Sequence, residues 1–222
     1  MPEMASAGVA GEPFFALPFG DIVNYFTPYT AVLFGFALLF TLICILSRPE
    51  QQLDVVFGTD AYYAKGVTGK ELRFRRFMSI ACGCATMAAM VSGDVFNFTL
   101  FVSMVGVCII GIVAAVKSRH VLDAAYNYGI IAIVATIPLF GGAAITLATT
   151  GTLSIWELSA MASGMPLIAK MLIIVGVMGE GIAPFYAAKA ELFRAPGAPY
   201  VIMIHVSSLL MFLRVVEILL TV

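Results

Sequence analysis

The chain has 222 residues, of which 61% are apolar and only 11% are charged, and its net charge is −1. Soluble domains carry about 25% charged residues. Together with a mean hydropathy of +1.02, the composition excludes an ordinary soluble domain and indicates an integral membrane protein in a lipid bilayer. The net charge offers no basic surface for nucleic acid, so no such partner is expected.

Residue types that commonly carry catalysis or bind metals are sparse. The four cysteines lie in apolar segments, and Cys82-Gly-Cys84 lacks the spacing of a zinc or redox motif. His120 and His205 are the only histidines, so neither a metal site nor another cofactor is expected. No phosphate loop or nucleophile motif is found, and we predict a non-catalytic protein. Residues 1–12 lack the basic start of a cleaved signal peptide.

Five apolar segments have about the length that crosses a bilayer as a helix, and a sixth apolar segment is shorter. The predicted fold is therefore an all-α integral membrane protein with about six transmembrane helices, at residues 29–47, 78–91, 98–116, 124–149, 165–188 and 200–222. Residues 1–27 are predicted to form an N-terminal tail and an interfacial segment, and residues 28–222 the transmembrane domain.

Capping residues mark helix starts in the polar connections. Asp94 follows the break after the second segment and is well placed to cap the third helix; a place on an ion path is the alternative. Ser154 and Glu157 have the spacing of a capping box, which predicts a short helix before the fifth segment. Thr68 and Glu71 predict the start of another short helix, in the polar connection before the second apolar segment.

Basic residues predict the orientation in the membrane. Ten of the twelve Lys and Arg residues lie in the connections 48–77, 117–120 and 189–198, which six spans place on one side. The connections on the other side of the membrane contain no Lys or Arg. The positive-inside rule then places the basic connections in the cytoplasm and both termini outside the cell membrane. Trp156 and the tyrosines near span ends fit an aromatic belt at the membrane surface.

One carboxylate stands apart in the fifth segment. Glu180 lies between Gly179 and Gly181, four residues before Pro184. Because Pro184 has no N–H, the carbonyl of Glu180 loses its helical partner, and we expect the helix to break here. An acid beside an opened backbone inside a bilayer marks a site or a pathway. We interpret Glu180 as an ion-carrying group; pairing with a cation from another subunit is the alternative.

Other ionisable residues in the apolar segments have two interpretations. Arg214 and Glu217 are three apart on one helix face and are expected to pair. Lys170 is close enough to a helix end to snorkel, and it fits an ion path equally well. His205 fits both a core histidine and a proton relay. Lys170 lies ten residues from Glu180, about 15 Å along a helix, so the two are not expected to touch.

Several motifs resemble those of the antiporter-like family, which includes the D-type component of Mrp-type sodium/proton antiporters and the antiporter-like subunits of respiratory complex I. Ser92-Gly-Asp-Val-Phe-Asn-Phe98 is similar to the family's T-G-D-L-F-N-L-F segment, and Thr150-Gly-Thr-Leu-Ser154 to its T-G-T-L-N turn. The segment from Pro184 resembles the P-L-Y-F-W-L-P-D run that ends the family's broken helix. Pro199 and His205 match the run that opens the family's next helix.

The resemblance implies one antiporter-like repeat with a broken helix near Pro184, in a chain much shorter than the family's usual fourteen helices. Short subunits of this kind occur in energy-converting nickel–iron hydrogenases of methanogenic archaea. The resemblance therefore implies a membrane subunit that carries H+ or Na+ and has no redox centre of its own. Its partners would be other membrane subunits of a hydrogenase-type complex, including a second antiporter-like subunit.

The chain departs from the family at its charged positions. The essential glutamate of the family falls at Ser103, the lysine of the broken helix at Gly179, and the next lysine near Leu210. The usual Glu–Lys mechanism cannot be transferred, and Glu180 is interpreted as a relocated acid. Two alternatives stay open: a degenerate subunit with a structural role in assembly, and one half of a stand-alone cation/proton antiporter.

Overall fold

The computed structural model describes residues 13–19, 22–47, 54–57, 62–65, 68–117, 119–181, 189, 192 and 199–222. Within these residues the architecture rests on seven helices: α1 (Pro28–Leu46), α2 (Gly69–Val91), α3 (Val95–Ala114), α4 (Arg119–Thr150), α5 (Ile155–Ala160), α6 (Leu167–Gly179) and α7 (Tyr200–Thr221). The predicted all-α class is confirmed. The predicted short helix after Ser154 is also confirmed as α5, with Ser154 as its N-cap.

Two short β-hairpins precede the first two helices and were not predicted. The strands pair antiparallel, β1 with β2 and β3 with β4: β1 (Phe15–Phe19), β2 (Ile22–Phe26), β3 (Asp54–Phe57) and β4 (Tyr62–Lys65). The first hairpin lies in the segment predicted to be interfacial. Residues 1–12 of the predicted tail lie outside the described residues, so the division into tail and membrane domain stays a prediction.

Helix α2 begins at Gly69, well before the predicted start of the second span at residue 78. Thr68 is its N-cap and forms a capping box with Glu71. The charged first turns belong to this helix and not to a loop. Arg75 is only 1% exposed, and its Nε donates to the carbonyl oxygen of Ile112 at 3.1 Å. Its guanidinium also lies 5.6 Å from the centre of the Tyr200 ring.

The helices form a bundle with an apolar surface. Among the described residues, α1, α3, α4 and α7 are long and apolar enough to cross a membrane, and α6 is a shorter apolar helix of 13 residues. In this bundle α2 packs against α1, α3 and α7, while α4 packs against α3 and α6. Large apolar side chains such as Val107, Ile133 and Leu167 face outwards. A surface of this kind suits a multi-pass protein surrounded by hydrocarbon.

Glycines allow α4 and α6 to approach closely. A Cβ atom at Gly142 would lie 2.9 Å from the carbonyl oxygen of Ala169, and one at Gly176 would lie 2.9 Å from that of Ala135. Small residues at such contacts are common between membrane helices, because packing rather than water exclusion holds them together. The close contact fixes the end of α6 against the middle of α4.

A polar network joins several segments at one end of the bundle. The predicted pair of Arg214 and Glu217 is confirmed, and both residues are buried. Arg214 also donates from Nη2 to the carbonyl oxygen of Ser92 at 2.8 Å, which ties α7 to the turn between α2 and α3. That turn pairs with the connection after α4 through a β-bridge between Asp94 and Ser154. Two connections that lack basic residues therefore meet at one end.

Replacing Gly142 with alanine should lower the free energy of unfolding by about 1–3 kcal/mol, because the added methyl group forces α4 away from α6. Thermal unfolding of the purified chain in detergent measures the change. Gly141→Ala is the matched control, since a Cβ there would find Leu172 Cδ1 at 3.9 Å, an ordinary contact. Equal losses in the two variants would contradict the close approach at Gly142.

Arg214→Met should destabilise the protein by about 3–5 kcal/mol, because it leaves the buried carboxylate of Glu217 without its charged partner. The double variant Arg214→Met/Glu217→Leu should recover much of this loss, since apolar side chains often replace a buried ion pair at little cost. The same unfolding measurement compares them. A double variant as unstable as the single one would show that the unpaired charge is not the cause.

Candidate functional site

Glu180 lies where α6 ends. It is the C-cap residue, directly after Gly179, and Gly181 takes a left-handed φ of 104°. Glycine adopts this conformation without strain, whereas other residues rarely do, so the chain leaves the helix here. Glu180 is only 6% exposed. Pro184, the predicted cause of the break, lies outside the described residues.

Tyr128 of α4 holds one oxygen of the Glu180 carboxyl group. Its hydroxyl donates to Oε2 at 2.7 Å, and the tyrosine is 1% exposed. As a tyrosine near a span end, this residue was expected to belong to the aromatic belt at the membrane surface, and that interpretation is wrong. The close contact of α4 with α6 at Gly142 and Gly176 brings it to Glu180.

Lys189 completes the cluster from the segment after α6. Its Nζ donates to the backbone carbonyl oxygen of Glu180 at 2.7 Å and to the hydroxyl of Ser208 on α7. Lys189 is 1% exposed and interacts electrostatically with the Glu180 carboxylate. Pairing of the carboxylate with a cation from another subunit stays the alternative interpretation. A proline four residues after Glu180 cannot donate to its carbonyl, which leaves this oxygen available to the lysine.

Two glycines make room for these polar groups. A Cβ at Gly106 of α3 would lie 2.7 Å from Oε1 of Glu180, and one at Gly181 would lie 2.1 Å from Cδ of Lys189. A small cavity of about 10 Å³ adjoins the carboxylate, and it is lined by Val102, Val105, Val177, Glu180, Ser208 and Met211. Among the described residues, Oε1 has no hydrogen-bond partner. One carboxylate oxygen thus stays available in an otherwise apolar space.

The other predicted ion-path residues lie in different places. His205 is exposed on α7 and interacts electrostatically with Lys189. Lys170 lies near the start of α6, and its Nζ donates to the carbonyl oxygen of Leu219 at 3.3 Å. Of these two predicted residues, His205 therefore lies in the region of Glu180 and Lys189. Lys170 lies about 15 Å from Glu180 along α6.

Asp94 and Ser103 have structural partners. Asp94 is the N-cap of α3 and accepts from the N–H of Asn97 at 3.0 Å, as the predicted cap requires. Burial raises the pKa of the Asp94 carboxyl, and the N–H groups of Asn97 and Phe96 oppose this shift. The half-buried Ser103 donates to the carbonyl oxygen of Thr99 at 3.0 Å. A place for either residue on an ion path stays a prediction.

Tyr128, Lys189, Gly106 and Ser208 were not identified from the sequence. Lys189 was counted only as one of the basic residues of a cytoplasmic connection. A signal did exist, because a proline after Glu180 frees a carbonyl that needs a donor, and Lys189 is the next cation along the chain. Nothing in the sequence pairs Tyr128 or Gly106 with Glu180, because their contacts depend on how α3 and α4 pack against α6.

Comparison with known proteins adds relatives. A family described as NADH dehydrogenase I, subunit N related protein, matches residues 4–222. An uncharacterised protein of Methanocaldococcus jannaschii is 50% identical over 215 residues, which cover 96% of this chain and 98% of that protein. A second uncharacterised protein of the same organism is 32% identical over 131 residues, which cover 56% of this chain and 27% of that protein.

A solved structure shares the fold. A chain of the membrane-bound sulfane sulfur reductase, an archaeal respiratory membrane complex, superposes with a TM-score of 0.67 over 92% of this chain, at 18% identity. Only 32% of that neighbour's length is covered, so this chain corresponds to about a third of it. The family match spans nearly the whole sequence and agrees with the resemblance seen in the motifs. The chain belongs to the NADH dehydrogenase I subunit N related family, a group of antiporter-like, complex I-type membrane subunits.

Proposed function

We propose that this chain is an ion-translocating subunit of an energy-converting nickel–iron hydrogenase complex. It would couple a gradient of H+ or Na+ to electron transfer in partner subunits. The counterpart that we suggest is the H-type membrane component of energy-converting hydrogenase A in methanogens. The family and the structural neighbour support a membrane-arm subunit of a respiratory-type complex. The hydrogenase partner and the ion coupling belong to the proposal.

One observation carries the proposal: a buried carboxylate lies at a helix end beside a buried lysine of the same chain. An ionisable group inside a membrane is costly and usually functional. The family's usual charged positions are Ser103 and Gly179 here, yet Glu180 and Lys189 again supply an acid and a base. The two charges interact electrostatically, and opposite charges adjust each other's proton affinity, so the rebuilt pair supports the proposed ion transfer.

The orientation is part of the proposal. Both termini would lie outside the cell membrane and the basic connections in the cytoplasm, as the positive-inside rule predicts. The meeting of the connections around Asp94 and Ser154 at one end of the bundle supports this arrangement. Glu180 would then lie toward the cytoplasmic half of its span.

A structural role in assembly is the second candidate. The serine and glycine at the family's charged positions favour it, as does the backbone contact that holds Lys170 away from Glu180. A stand-alone antiporter half is the third. Nickel and iron–sulfur clusters in the native complex, measured after purification, separate the hydrogenase subunit from the stand-alone antiporter.

Glu180→Gln should abolish gradient-linked activity while the complex still assembles, because an amide cannot take up and release the ion that a carboxylate exchanges. A positioned proton carrier contributes on the order of 100-fold or more to a transfer rate. Ion uptake driven by hydrogen oxidation in vesicles containing the purified complex measures the effect. Glu157→Gln, which alters an exposed carboxylate, is the control. Unchanged coupling in Glu180→Gln would leave only the structural role.

Gly106→Ala tests the same site without removing a polar group. The added methyl group would meet Oε1 of Glu180, so the carboxylate must move, and we expect coupling to fall with a stability loss of about 1–3 kcal/mol. Gly129→Ala is the control, since its nearest neighbour would be Ile110 Cδ1 at 3.4 Å. Vesicle uptake and thermal unfolding are measured for both. Full coupling in Gly106→Ala would show that the position of the carboxylate does not matter.

A further inference from the structure

The oxygen atoms around Glu180 decide which ion the site can hold. Where membrane helices break, freed backbone carbonyls commonly coordinate Na+ in transporters, and hard cations need several oxygen ligands at once. The described residues offer the carboxylate and backbone carbonyl of Glu180, the hydroxyl of Ser208 and the hydroxyl of Tyr128. An oxygen can coordinate sodium only where no other positive charge already occupies the space in front of it.

Most of these oxygens already have partners. Nζ of Lys189 donates to the Glu180 carbonyl at 2.7 Å and to the Ser208 hydroxyl, which itself donates to the carbonyl of Ile204 at 2.9 Å. The Tyr128 hydroxyl donates to Oε2 at 2.7 Å. Only Oε1 has no hydrogen-bond partner among the described residues. The lysine ammonium therefore occupies the positions that a bound cation would need.

The adjoining cavity has room for one water molecule. Its volume of about 10 Å³ is close to the least that a single water needs. Of the lining residues that the structure describes, all except Glu180 and Ser208 are apolar, with Val102, Val105 and Met211 among them. A hydrated alkali cation does not fit, and a bare one would find, among the described residues of the site, one carboxylate oxygen without a hydrogen-bond partner and a positive charge beside it.

We propose that Lys189 is the residue that determines ion specificity: it acts as a tethered cation that leaves Oε1 of Glu180 open to a proton and closes the site to Na+. The inference rests on the proposed function in that Glu180 is the ion-carrying group. Proton uptake forms one O–H bond on Oε1 and breaks one O–H bond of a water in the cavity, and that water regains its proton from a hydronium outside the site. The net charge of the Glu180–Lys189 pair then rises from zero to +1.

Other titratable groups face this pair. Tyr128 of α4 contacts the carboxylate, and Cys82 of α2 interacts electrostatically with Lys189. His205 of α7 also faces Lys189. None of these three adds a second carboxylate that could help to hold a metal cation.

The test uses the full purified chain in lipid nanodiscs and compares the wild type with Lys189→Met and Lys189→Arg. The carboxyl C=O band in the infrared difference spectrum is assigned to Glu180 by its loss in Glu180→Gln. In the wild type this band should change with pH and stay unchanged when choline is replaced by sodium, and no saturable binding of radioactive sodium should be found. In Lys189→Met, sodium at constant pH should remove the band, whereas Lys189→Arg should behave as the wild type.

Two results would overturn the inference: saturable sodium binding to the wild type that Glu180→Gln abolishes, or a band in folded Lys189→Met that ignores sodium. If Lys189→Met does not fold, Lys189→Gln replaces it with the same expected results, and the wild-type sodium measurement decides in either case. Failure of the proposed function looks different. Coupling retained by Glu180→Gln in the whole complex would remove the transport role, whatever the ion preference of the isolated chain.

Discussion

The carboxylate of Glu180 must find all of its polar partners inside the protein, since neither water nor lipid tails can supply them. Tyr128 of α4 donates to the carboxylate, Lys189 of the segment after α6 donates to the backbone carbonyl of the same residue, and Gly106 of α3 leaves space for the carboxyl group. Three separate parts of the bundle are therefore held in register by one acidic residue. A shift of any of them would leave a charge unsatisfied in hydrocarbon, so the arrangement around α6 is strongly constrained.

Close approach of backbones is the means by which this constraint is met. At Gly142 and Gly176 it sets α6 against α4, and at Gly106 and Gly181 it makes room for Glu180 and Lys189. The first two positions control distance between helices, and the other two control distance between a polar group and a backbone. Both kinds of close approach depend on the absence of a Cβ atom. Together they explain why α6 can end inside the bundle with the carbonyl of its C-cap residue, Glu180, hydrogen-bonded.

Two buried ion clusters in the same bundle differ in kind. Arg214 and Glu217 lie three apart on one continuous helix and tie its end to the Ser92 turn; this is the geometry of a structural contact. Glu180 and Lys189 lie on either side of a helix end, and one carboxylate oxygen faces a small cavity. In the second arrangement one carboxylate oxygen has no hydrogen-bond partner among the described residues, which supports the proposed ion transfer there.

The sequence alone determined the membrane class, the order of the main helices, the caps at Asp94 and Ser154, and the helix end at Glu180. Each follows from local properties, because hydropathy, capping spacing and the missing N–H of proline act within a few residues. The longer α2 and the hairpins were missed, since charged turns and short strands resemble loops when their burial is unknown. Tertiary structure alone brought Tyr128, Gly106 and Ser208 to the region of Glu180 and Lys189, because these contacts join segments that only helix packing brings together.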